Sequence, residues 1–182
     1  MSHRPERVFS ERDLEIVRAA VGVAEDRVSD FYKLSASQWL RYRYDVRTRV
    51  DLAPDEIVRG PFAQVIRYEA RPANAHLGSS AYDFYRICLQ DHAILTALAE
   101  IRGISLRPFA LYIVAHELVH VVRFCKFLQN FDASREEKRI EEGRVHRWTR
   151  EILAPLRIDG MARVLDFFLL AGESETPMET LR

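Results

Sequence analysis

Hydrophobic and polar positions alternate most clearly between residues 40 and 50. Leu40, Tyr42, Tyr44, Val46, Thr48 and Val50 interleave with Arg41, Arg43, Asp45, Arg47 and Arg49, the period-two pattern of a strand with one wet face. Ala53-Pro54-Asp55 breaks the pattern. A weaker strand is expected over 63–68, ended by Arg71-Pro72-Ala73-Asn74, and a third over 82–89. On either side of this group the period is helical. Ser10-Glu11-Arg12-Asp13 ahead of Leu14, Ile16, Val17 and Val21 predicts a helix capped by Ser10, with Asp13 at the third helical position. Asp91 is expected to cap a helix through Ile94, Leu95, Leu98 and Ile101 that Gly103 stops. Another opens near Pro108 and runs through Phe109, Leu111, Val114, Leu118 and Val122 toward Asn130. A capping box at Ser134-Arg135-Glu136-Glu137 starts the next, which ends by Pro155. A last helix spans about 160–170, and the polar tail from Glu173 is expected to fray.

The order is one helix, a small antiparallel sheet, then a mainly helical half, hence an α+β fold. With 182 residues and no internal repeat or linker, one domain over 1–182 is expected. Lysine plus arginine equals aspartate plus glutamate at 27 each, so no net field draws the chain to nucleic acid or to an anionic membrane. The arginines of the 41–49 row sit opposite Tyr42 and Tyr44 on the strand, whereas base stacking needs rings and charges on one surface. They are expected to be a solvated, edge-guarding face. The N-terminus lacks the apolar core of a secretory signal. The longest apolar run, 109–122, is shorter than the roughly 18 residues of a membrane span. A soluble, cytoplasmic protein is the expectation, with Cys88 and Cys125 as buried thiols.

The chemistry concentrates in that apolar run. His116 and His120 are four apart, so a helix stacks them on one face, and Glu117 follows the first. Phe109 to Ala115 precede them and Val121-Val122 follow. A helix apolar all round is a buried one, and burying two imidazoles and a carboxylate costs several kcal/mol unless something such as a divalent ion compensates. Two imidazoles so placed can grip one ion.

His116-Glu117-Leu118-Val119-His120 resembles the active-site motif of the zincin metallopeptidases, over this helix and at most the next. The resemblance implies a zinc ion, Glu117 as general base, a peptide or protein substrate, and an edge strand beside the helix that binds it extended. The metzincin branch would need a Gly and a His soon after His120, and Val121 to Lys126 contain neither. The gluzincin branch draws its third ligand, a Glu, from a following helix. Glu142, 22 residues after His120, is the first candidate, with Glu141, His146 and Glu137 as alternatives. The usual partner of that ligand is an acid four residues on; Glu137 with Glu141 keeps this spacing, while Glu142 with His146 replaces the acid by an imidazole. The reaction would also need a second electrophile, for which His146, Tyr112 and His92 are candidates. The alternative is a zinc-binding protein without peptidase activity. His76, on a loop, is expected to be an ordinary surface histidine.

Overall fold

The computed structural model describes residues 7–70 and 82–173. The Arg71–Asn74 break, His76 and the tail after Glu173 lie outside these residues. The elements are α1 (Glu11–Tyr32), α2 (Ala36–Trp39), β1 (Tyr44–Arg47), β2 (Ala63–Ala70), β3 (Tyr82–Leu89), α3 (Asp91–Glu100), α4 (Leu106–Cys125), α5 (Arg135–Leu153) and α6 (Met161–Glu173). The fold is α+β.

The α1 cap forms as expected. Ser10 Oγ accepts from Asp13 N–H at 3.2 Å, and the Asp13 carboxylate accepts from Ser10 N–H at 2.9 Å. Val17, Ala20, Ala24 and Val28 make its buried stripe, and that stripe packs along α4. Two alanines in it let the axes approach closely. α4 is the centre of the molecule: α1, α5, α6, β2 and β3 all touch it. Every residue from Phe109 to Val122 is buried, so the helix has no solvent face. It is long and apolar enough to cross a membrane, but nine-tenths of it is covered by the rest of the chain.

The sheet departs from expectation in two ways. It is mixed: β2 and β3 pair antiparallel from Ala63 opposite Leu89 to Ala70 opposite Tyr82, while β1 joins β3 in parallel, in the order β1-β3-β2. Alternation decides which side chains point inward; it carries no information about a strand's neighbour or direction. The first strand is also four residues, not eleven. Ser35 and Gln38 form a capping box that starts α2, and its helical hydrogen bonds run on to Leu40. A tight turn over Arg49–Asp51 consumes the other end. Leu40 and Val50 accordingly stand 81% and 64% exposed.

Helix boundaries shift for local reasons. Gln90, not Asp91, is the residue before α3. The buried Asp91 carboxylate instead accepts from the backbone N–H of Phe9 at 2.9 Å and Arg49 at 3.0 Å, tying two distant segments to the start of α3. α4 opens at Leu106, two residues before Pro108, and stops at Cys125. Phe127 adopts a left-handed backbone there (φ 55°), and the Leu128 N–H turns back onto the Arg123 carbonyl at 2.9 Å. Both cysteines are free; Cys88 is buried and Cys125 partly so.

Candidate metal centre

α5 docks on α4 through Val145, Thr149, Ile152 and Leu153, all buried. Its cap forms as expected: Ser134 N–H donates to the Glu137 carboxylate at 2.8 Å, and Ser134 Oγ accepts from Glu137 N–H. That capping role occupies Glu137. Glu141, also buried, is bound by the guanidinium of Arg123 and by Arg144 Nη1 at 3.2 Å. Arg123 in turn lies over the Trp148 ring at 4.3 Å. Two cations therefore neutralise Glu141, and it faces away from the imidazoles.

Glu142 faces them. Its Oε1 lies 2.8 Å from His116 Nε2 and its Oε2 lies 3.1 Å from His120 Nε2. His146, one turn further along α5, brings its Nε2 to 3.4 Å from Oε1. His116, Glu142 and His146 thus bring ligand atoms within 4.8 Å of one another, and His120 meets the other Glu142 oxygen. His116 and His120 are essentially inaccessible, whereas Glu142 and His146 keep about a fifth of their side-chain surface, 23% and 18%. What access there is comes along α5. Glu117 is buried, 3% exposed, within electrostatic reach of both α4 histidines and Glu142.

Charge sorts this cluster sharply. Burial raises the Glu117 carboxyl above its ordinary value, against the opposing pull of His116 and His120. Burial acts the same way on Glu142, but the His116 and His120 imidazoles outweigh it and hold the carboxyl well below the usual range. For His120, burial is overcome by the Glu142 carboxylate, which lifts the imidazole to about 9. Burial together with His116 pushes His146 down to about 3.

Two further side chains orient the rings, and both were poorly legible in the sequence. His120 Nδ1 lies 3.0 Å from Gln129 Oε1. An amide oxygen only accepts, so Nδ1 carries the hydrogen and the Nε2 lone pair is directed at Glu142. A lone pair cannot face a carboxylate unless a proton or a metal ion lies between them. Gln129 stands in the turn after α4, where no periodicity marked it. Tyr112 Oη makes a 2.7 Å hydrogen bond with His146 Nδ1. Its position four before His116 places it on the ligand face, but it is 2% exposed and stacked on Phe168 at 3.9 Å. It serves His146 rather than a substrate. His92 is on α3, with Arg49, Val58 and Asp91 around it, and takes no part in this cluster.

The donor set fits a metal ion. His116 Nδ1, His116 Nε2 and Glu142 Oε1 are buried and make no hydrogen bond; the 2.8 Å approach of His116 to Glu142 lacks the alignment for one. Buried polar atoms left unpaired cost on the order of 1–3 kcal/mol each, and a cation shared between His116 Nε2 and Glu142 Oε1 would remove that cost for these two. Two or three imidazoles with one carboxylate is a nitrogen–oxygen set suited to zinc. No protein-family model matches the chain, and neither a curated protein nor a solved structure shows significant similarity to it.

Proposed function

We propose that this protein is a zinc-dependent hydrolase, a small metallopeptidase that uses Glu117 as its general base. The observation that carries the reading is the Glu142 carboxylate set across the α4–α5 interface from the His116 and His120 imidazoles, with Glu117 beside them. In this reading His116, His120 and Glu142 hold the zinc. A zinc ion there supplies a Lewis acid and brings the pKa of water toward about 7. Glu117 Oε takes the proton from the attacking water and delivers it to the leaving amine. Burial favours this work, because a carboxyl raised above its ordinary value is a better base. Gln129 fixes the His120 tautomer, so that Nε2 stays available. β2 is an edge strand on which α4 packs, and among the described residues it pairs with β3 alone. Its outer side offers backbone groups to an extended peptide.

The depth of the cluster favours one alternative, a zinc-binding protein without peptidase activity, since a substrate must reach a base that is 3% exposed. Elemental analysis of tag-free protein comes first, and stoichiometric zinc lost in His116→Ala is expected. A peptide library offered to the zinc-loaded protein then separates the readings: cleavage that disappears in Glu117→Gln supports the peptidase. Zinc uptake with no cleavage supports the alternative.

A further inference from the structure

We propose that His146 is a fourth protein ligand of the same ion, held in place by Tyr112, so that three imidazoles and one carboxylate close the centre at rest. The proposal rests on the metal-site reading above and reassigns His146 from second electrophile to ligand. The donor distances carry it. The Glu142 carboxylate has all three Nε2 atoms around it, at 2.8, 3.1 and 3.4 Å. Ligand atoms of His116, Glu142 and His146 all lie within 4.8 Å of one another. Four donors about 2.0–2.1 Å from one tetrahedral ion stand about 3.3–3.4 Å apart; His116, Glu142 and His146 already form a group, and His120, which lies outside it, must draw in to complete the four.

The orientation of the ring agrees. Nδ1 of His146 is engaged by Tyr112 Oη, which leaves Nε2 as the free nitrogen, and Nε2 points inward at Glu142. A donor meant for a substrate oxyanion would point outward toward solvent. Tyr112 is itself fixed, lying parallel to the Phe168 ring with 6° between planes. Turning His146 away from Glu142 would break its bond to a hydroxyl that cannot follow. Tyr112 is therefore a positioning residue for the fourth ligand, an orienting role that metal-bound histidines generally require of a neighbour.

One consequence concerns access. Four protein ligands fill a tetrahedral site, and catalytic zinc sites keep one position open. Of the three imidazoles His146 is the one with exposed surface, so it is the ring that must swing out to admit a substrate.

X-ray absorption at the zinc edge of the full, tag-free, zinc-loaded chain tests this independently of activity. Three imidazoles and one carboxylate are expected in the wild type, and two imidazoles with an added oxygen in His146→Gln. Tyr112→Phe is expected to keep three imidazoles while weakening zinc binding about 10–100-fold in competition with a chromophoric chelator. Two imidazoles in the wild type, unchanged by His146→Gln, would overturn the proposal and leave the His116–His120–Glu142 centre standing. A chain that takes up no zinc overturns both.

Discussion

Two of the buried charge clusters among the described residues are built on opposite principles. On the side of the sheet turned away from α4, Glu56 accepts from Tyr68 Oη at 2.7 Å, Arg86 Nη1 at 2.9 Å and Ala53 N–H at 2.7 Å. Arg86 also reaches Asp45 at 3.0 Å, and Gln64 and Gln90 both donate to the Glu56 carbonyl. The Glu56 carboxylate and the Arg86 guanidinium each find oppositely charged or hydrogen-bonding partners within the chain. Between α4 and α5, by contrast, one hydrogen bond joins His120 Nε2 to Glu142 Oε2 at 3.1 Å, while both ring nitrogens of His116 and Glu142 Oε1 stay without one. The first arrangement holds a loop onto a sheet, and of its buried side-chain atoms Gln64 Oε1 is left without a partner. A cation among the second set of donors, a proton in part or a metal ion in full, would satisfy what is left unpaired there.

Substitutions can break this contrast from either side. The largest effect is expected at Glu117: Glu117→Gln should lower peptide turnover about 10²–10⁴-fold, the usual contribution of a general base, while zinc content is unchanged. Full activity in that variant would remove Glu117 from the mechanism. Next comes the other cluster. Arg86→Met leaves buried Glu56 without its cation and should cost about 3 kcal/mol in urea unfolding, near the low end for a broken buried pair because the guanidinium is about a quarter exposed. Zinc uptake by that variant should be normal.

Zinc itself should stabilise the native chain by about 2.7 kcal/mol when free metal is 100-fold above its dissociation constant. The gain should vanish with chelator and in Glu142→Ala, yet survive in Glu141→Gln. Equal losses in the two glutamate variants would erase the distinction drawn between them.

The smallest effects are in pH dependence, at opposite ends of the scale for chelated protein. His120, raised to about 9, contributes stability that is complete below its unfolded value of about 6.5 and is lost as pH rises toward 9. Glu56 is depressed: burial opposes this, but Tyr68, Ala53 and Arg86 prevail. Its contribution is present above the ordinary carboxylate value and is lost as pH falls through its lowered one. His120→Gln should flatten only the alkaline limb of a melting-temperature profile, and Glu56→Gln only the acid limb.

Much of the fold was legible because the information is local. The caps at Ser10 and Ser134 depend on residues three apart, and the helical content followed from such signals and from periodicity. β1 was misjudged in length and direction because alternation near Leu40 competes with a capping box whose reach the pattern does not show. The stacking of His116 on His120 follows from four-residue spacing alone, as does the pairing of Glu142 with His146. Those relations hold in any helix that contains them.

The choice between Glu142 and Glu141 belongs to the tertiary structure. Adjacent residues on a helix differ by about 100°, and only the rotation of α5 on its buried Val145, Thr149 and Ile152 decides which of them meets the imidazoles. Arg123, one turn past His120, then claims Glu141 and leaves Glu142 to the imidazoles. Gln129 and Tyr112 acquire their roles in the same way, by contact across elements. Local spacing set up two halves of a centre on two helices; packing alone determined that they meet.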